Sequence, residues 1–305
     1  MQFHPPTDIH VIERDWLSSN QIVLLGDEGN AVIDTGYWSH SSQTVSLMQH
    51  ALKNKPLDFI FNTHLHSDHC GGNRALQTNF PNCKTHIPPG LSDLVKDWRY
   101  DQFNYQSTGQ FCPEFKFDSL LFPGQSIQLN NRTWQIHAAP GHDPDSIVFF
   151  EPDLQILISA DALWENGFGV VFPELDQISA FNEVKQTLDL LSTLKPRYVI
   201  PGHGKPFANF SQALDRAYTR LKQFVTDPQQ HALYTAKVLI KFKLLELRHI
   251  SVLAFNAWLY RNQLLLQIHT CFFPTLDYSD WFKDILNSLA SNNALSIENG
   301  FIKNL

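Results

Sequence analysis

Residues 63–72, THLHSDHCGG, place His64, His66, Asp68 and His69 within six positions and close the run with two glycines. Neutral imidazole offers a nitrogen lone pair to zinc or iron, and a carboxylate helps hold a second, harder ion. A mixed His/Asp set of this kind therefore suits a pair of metals that activate water for hydrolysis. The same residue types also occur on solvated faces, so their context matters. LDFIFN before the cluster reads as a buried strand, and the glycines after it read as a tight turn into a helix. Three further polar residues end apolar strands: His142 in AAPGHDPDS, Asp161 in ILISADAL and His203 in RYVIPGHG. Each alone reads as a turn residue or a cap. In order after H-x-H-x-D-H, they extend one constellation.

Short strands and helices must carry these groups. IHVIERDW, NQIVLLGDE and GNAVIDTG read as strands, with Gly29-Asn30 as a hairpin turn. SHSSQTVSLMQHALKN reads as a helix opened by capping serines, and GGNRALQTNF as the next helix. SIQLN, TWQIHAAP, SIVFFEP and LQILISADA predict a second group of strands, followed by the amphipathic helix ISAFNEVKQTLDLLSTL. Strands in two halves with helices between them predict an α/β chain whose core is sheet on sheet, covered by helices. Beyond Pro206 the segments turn helical. The expected division is a catalytic domain over 1–207 and a helical C-terminal module over 208–305, winged-helix-like, with LSIENGFIKNL as a small hairpin.

The chain of 305 residues carries a formal charge of −7, which gives no global attraction to nucleic acid or to an anionic membrane. No run approaches the roughly 18 apolar residues of a membrane span. The opening MQFHPPTDIHVIERDW lacks a basic stretch followed by an apolar one, so no secretory leader and a cytoplasmic location are expected. Cys70, Cys83, Cys112 and Cys271 form no C-x-x-C pair, and neither a disulfide framework nor a zinc knuckle is expected. Between 205 and 249, Lys205, Arg216, Arg220, Lys222, Lys237, Lys241, Lys243 and Arg248 outnumber the acids. They read as a solvated helix face rather than a phosphate grip, so no nucleic-acid partner is expected. The apolar tail offers a surface for a homodimer.

The sequence resembles the metallo-β-lactamase superfamily through AVIDTG with Asp34, THLHSDH, His142, Asp161 and His203, over roughly residues 8–207. The resemblance implies an αβ/βα sandwich with metals at the strand-end edge. It implies that His64, His66 and His142 hold a first divalent metal and Asp68, His69 and His203 a second, with Asp161 bridging. Asp34 would support the ligands by hydrogen bonds, Asp68 would also orient the nucleophile, and Gly71, Gly72, Gly141 and Gly202 would let the backbone turn tightly. Zinc is the ligand-type default, with iron or manganese accepted according to supply. True β-lactamases of the fold place a cysteine or lack a carboxylate where Asp161 stands, and flavin-coupled di-iron relatives carry glutamate at the position of His66. The departures favour hydrolases similar to glyoxalase II and lactonases, acting on a thioester, ester or lactone of a small acyl substrate. Alternatives are a mononuclear-iron persulfide dioxygenase and a nuclease or nucleic-acid-binding protein using the basic C-terminal helices. Trp164, Phe168 and Phe172 could wall an acyl group, and Trp98, Tyr100, Phe103 and Tyr105 could form a lid or pack against the sandwich.

Overall fold

The computed structural model describes residues 6–305; residues 1–5, where the sequence read for a leader and the 1–207 domain both begin, lie outside the described residues. The first six strands are β1 (Ile9–Ile12), β2 (Gln21–Leu24), β3 (Ala31–Ile33), β4 (Phe59–Phe61), β5 (Lys84–Ile87) and β6 (Ser119–Leu120), and they form one sheet in sequence order. The turn at Gly29-Asn30 joins β2 to β3 as an antiparallel pair, whereas β3 to β6 run parallel and need crossovers. Helices α1 (Ser41–Leu52), α2 (Ser67–Cys70), α3 (Asn73–Asn79) and α4 (Ser92–Asp97) fall within those crossovers. Strands β7 (Ser126–Leu129), β8 (Arg132–Ala138), β9 (Ile147–Glu151), β10 (Ile156–Ala160) and β11 (Tyr198–Pro201) form the second sheet in the order β11-β10-β9-β8-β7.

The two-residue period of the strands builds the layers. Ile22, Leu24, Ala31, Ile33 and Phe61 point into a core shared with Trp134, Ile136, Phe149, Ile158 and Ile200 of the second sheet. Their chain neighbours Val23, Val32 and Ile60 point the other way, against Met48 and Leu52 of α1 and Leu76 of α3. That is the sandwich the alternation predicts. The serines thought to cap α1 do not: its N-cap is His40, without a side-chain cap, because a 3-10 turn at Trp38–His40 runs straight into the helix.

The chain divides into two compact units, one up to Phe103 together with Phe111–Lys222, the other Asn104–Gln110 together with Gln223–Leu305. The sequence places the change of character near 207. In the structure, α6 (Phe172–Leu175), α7 (Phe181–Leu194) and most of α8 (Phe210–Thr226) lie in the first unit. An apolar stripe at Phe210, Ala213, Leu214, Ala217 and Leu221 is buried. Arg216 Nε donates to the Glu165 carbonyl at 2.7 Å, and Tyr218 Oη donates to Asp189 at 2.7 Å. The second unit is helical, with the short α5 (Tyr105–Thr108) and with α9 (Pro228–Leu247), α10 (Val252–Leu259), α11 (Gln263–Phe272) and α12 (Tyr278–Ser291), the last four opened by the side chains of Asp227, Ser251, Asn262 and Asp277 respectively. Strands β12 (His249–Ser251), β13 (Leu295–Glu298) and β14 (Phe301–Asn304) form a three-stranded sheet in the order β12-β14-β13, the last two being the expected hairpin. No helix among the described residues is long and apolar enough to cross a membrane.

Candidate metal centre

In the first unit, the polar residues singled out in the sequence come together at strand ends. His64 and His66 follow β4, and Asp68 and His69 lie on the short helix α2. Strand β9 is antiparallel to both β8 and β10, and β11 is parallel to β10, so β8, β10 and β11 end at one edge. Past those ends stand His142, Asp161 and His203 respectively. The register of β10 against β11 shifts between Ile158 and Ala160, and Ala160 adopts φ 45°. Such a bulge re-aims the next side chain, here Asp161. A Cβ on Gly202 would lie 2.3 Å from Asp161 Oδ1, so this approach requires glycine.

The side chains converge as overlapping triads: His64, His66 and His142; His64, His69 and Asp161; and Asp68, His69 and His203, the ligand atoms in each lying within 4.8 Å of one another. His66 Nδ1 is 3.1 Å from His64 Nε2 and 2.9 Å from His142 Nε2. Asp161 links the groups, with Oδ2 3.3 Å from His142 Nε2 and Oδ1 3.5 Å from His69 Nε2 and 3.9 Å from His203 Nε2. Asp68 Oδ2 accepts from His203 Nε2 at 3.1 Å. His69 Nε2 is buried without a hydrogen-bond partner among the described residues. Imidazole nitrogens and carboxylate oxygens that converge on one place, with the His69 Nε2 among them left unpartnered, fit a divalent cation, and the His-rich set fits zinc chemistry.

Burial pushes His66 and His142 down to about 4 and His64 well below its ordinary range, which keeps these imidazoles neutral and their lone pairs available. Desolvation would also depress His69, but the carboxylates of Asp161, Asp34 and Asp68 overcome it and raise that group well above its usual value. Desolvation would raise Asp68 and Asp161, yet His69 and His203 hold both below the ordinary carboxylate range.

Outer partners orient four of the five imidazoles. His69 Nδ1 donates to Asp34 Oδ2 at 2.7 Å, and Asp34 also accepts from the Thr63 N–H at 2.9 Å and hydroxyl at 2.8 Å. This hub sits at φ 58°, a conformation that its tied carboxylate over-determines. The Thr63 hydroxyl accepts from His64 Nδ1 at 3.1 Å, His142 Nδ1 donates to the Val170 carbonyl, and His66 Nε2 lies 3.5 Å from Asp143 Oδ2. The sequence argument missed Thr63, Asp143 and the segment carrying Val170. A Cβ at Gly169 would press to 2.4 Å from His142 Nδ1, so the glycines of NGFGV were a signal for that close approach. It also missed Trp16, whose ring stacks on His203 with centroids 5.4 Å apart and planes 7° apart.

The aromatic residues divide. Phe172 faces His66 and His142, with centroids at 4.9 and 5.7 Å, and Trp164 Nε1 donates to Asp161 Oδ1 at 3.2 Å. Phe168 is buried, its carbonyl accepting from Arg220. In the first unit, Trp98 packs on Phe103 and Phe115, and Tyr100 on Phe111. Tyr105 is buried in the second unit. Several cations of 205–249 are engaged within their own unit: Arg216 with Glu165, Lys237 with Ser288, Lys241 with the Ala294 and Leu305 carbonyls, and Lys243 with Glu246.

Comparison with known proteins agrees with this geometry. The pattern of the Metallo-beta-lactamase superfamily matches residues 14–203. The chain is similar to a hydroxyacylglutathione hydrolase of Trichormus variabilis, 31% identical over 172 residues, covering 54% of this chain and 58% of that protein. It is also similar to a hydroxyacylglutathione hydrolase of Brucella anthropi, 27% identical over 216 residues, covering 68% and 70%. The match thus spans little more than half the length of the first relative. A solved metallo-beta-lactamase family protein of Thermus thermophilus shares the fold with a TM-score of 0.54 at 16% identity, over 98% of this chain and 99% of that one.

Proposed function

The chain belongs to the metallo-beta-lactamase superfamily, and from that membership we propose that it is a hydrolase using two divalent metal ions, zinc by preference, to cleave a thioester, ester or lactone of a small acyl substrate. The observation that carries this reading is the set of three His/Asp triads in which His64, His69 and Asp161 form the middle one, overlapping the others through His64 and His69. In this reading His64, His66 and His142 would hold one ion and Asp68, His69 and His203 the other, with the Asp161 carboxylate available to both. The similarity to hydroxyacylglutathione hydrolases supports the thioester as the first substrate class to try.

When bound, the ions supply a water of lowered pKa and an electrophile for the developing oxyanion. The remaining work falls to the chain's own groups. Asp68 is only partly buried and is kept a carboxylate by His69 and His203, so its oxygen can accept a hydrogen bond from the attacking water and hold it toward the acyl carbon. Phe172 presents an apolar edge beside His66 and His142, where an acyl group can lie out of water. Asp34 and Thr63 fix the rings of His69 and His64, so the site is organised before substrate arrives.

The test is elemental analysis of the purified protein paired with turnover of small thioesters, lactones and phosphodiesters before and after chelation. About two zinc ions per chain, with thioester or lactone turnover lost on chelation and restored by zinc, is the expected result. One iron per chain with no hydrolysis would replace this reading with oxygen-dependent persulfide chemistry, and turnover of phosphodiesters alone would replace it with the nuclease.

A further inference from the structure

The outer nitrogens of the site imidazoles do not all find the same kind of support. His64, His69 and His142 each donate to an oxygen, and His66 faces Asp143. His203 Nδ1 is buried and has no hydrogen-bond partner among the described residues. A ligating histidine is normally fixed in orientation by a bond from its second nitrogen. At His203 that support is aromatic instead.

Trp16 lies nearly parallel to the His203 ring, and Trp164 meets both rings edge-on, at 5.2 Å and 73° to Trp16 and 5.7 Å and 80° to His203. The three rings form a closed cluster of stacked and T-shaped contacts, the arrangements that ring quadrupoles favour. Trp164 also donates its Nε1–H to Asp161 Oδ1 at 3.2 Å. We propose that Trp16 and Trp164 form an aromatic clamp that positions His203 and Asp161 for metal binding. The clamp takes the place of the hydrogen bond that His203 lacks.

The proposal rests on the two-metal reading of the site. Trp16 stacks on His203, whereas Trp164 meets His203 edge-on and, through its N–H, bonds Asp161, which would reach both ions. The two residues therefore differ in what their loss does. Trp16 is 54% exposed, so shortening it removes little buried surface from the core. Its stacking still covers one face of His203 and limits rotation of that ring.

The experiment loads the full-length protein with zinc and titrates it with a chromophoric chelator, counting zinc released in each step, for wild type, Trp16→Ala, Trp16→Phe and Trp164→Phe. Trp16→Ala is expected to release one ion at a chelator concentration about tenfold lower, the low end of outer-shell effects, while the other is unchanged. Trp16→Phe keeps a stacking ring and is expected to restore wild-type retention. Trp164→Phe keeps a ring but deletes the donor to Asp161, and is expected to loosen both ions. Thermal melting of metal-free wild type, Trp16→Ala and Trp16→Phe is expected to coincide, which separates positioning from folding at Trp16. Trp16→Ala that holds both ions as wild type does overturns the clamp while leaving the two-metal reading intact. A wild-type protein that retains no zinc overturns both.

Discussion

Asp34→Asn tests the reasoning about the site most directly, because it keeps shape while removing one negative charge and turning one acceptor into a donor. Asn tolerates the left-handed backbone that Asp34 adopts at φ 58°, so the chain path survives. The carboxylate accepts three bonds, from the Thr63 N–H, the Thr63 hydroxyl and His69 Nδ1, and is itself buried. An amide has one acceptor oxygen. With its NH2 toward His69, donor meets donor, and relief requires the imidazole proton to move to Nε2, the atom that faces Asp161 and Asp68. With its NH2 toward Thr63, the backbone N–H is left buried and unpaired. Either way one charge-assisted bond is lost and one buried donor is unsatisfied, which together cost about 3 kcal/mol. With m of about 3 kcal/mol/M for a chain of this size, the urea midpoint of the metal-free protein should fall by about 1 M. Retention of the ion that His69 is proposed to hold should weaken about 10- to 100-fold in a chelator titration. A variant with the wild-type midpoint and wild-type zinc retention refutes the account. A lowered midpoint with unchanged retention refutes the tautomer step alone.

Two further expectations follow from single positions. Gly202→Ala sets a Cβ 2.3 Å from Asp161 Oδ1 and 3.0 Å from His69 Cε1, so the carboxylate must move; turnover should drop about 100-fold, as for a misplaced reacting group, with circular dichroism near wild type, and normal turnover would refute the close-approach argument. In the second unit, burial holds His231 down at about 4, so between pH 6.5 and 4 the unfolded chain binds a proton that the native ring refuses. Its contribution is full above pH 6.5 and is lost toward pH 4, by about 3 kcal/mol at the end of that window. Comparing stability against pH for wild type and His231→Phe isolates the effect. Parallel curves across that window would show that His231 is not the group responsible.

Much of the first unit is written in short-range patterns. The alternation through β2, β3 and β4 marks which face meets the second sheet, since side-chain direction along a strand follows from backbone geometry alone. The polar residues past the ends of β4, β8, β10 and β11 stand out as a set, since each alone would read as a turn residue or a cap. The helix at Phe181–Leu194 follows from its apolar spacing. Local pattern did less well where two solutions are close in energy, as at α1, where a 3-10 turn rather than a serine side chain begins the helix. It also placed the change of character near 207, whereas the compact units divide after Lys222 because most of α8 buries its apolar stripe and bonds Arg216 and Tyr218 within the first unit.

The sequence alone determined the inventory: five histidines and two aspartates at strand ends, in an order and spacing able to serve two metals, carried by strands of two-residue period. Only the tertiary structure decided which outer group holds each ring, because Asp34 and His69, Trp16 and His203, or Gly169 and His142 are brought together by the pairing of distant strands. Periodicity and propensity act over a few residues, whereas these contacts are set by register and loop closure across the whole unit. That is why the candidate ligands, and Asp34 as a support beside them, could be named from the family's motifs, while the other supports, and the unpartnered nitrogen of His203, could not.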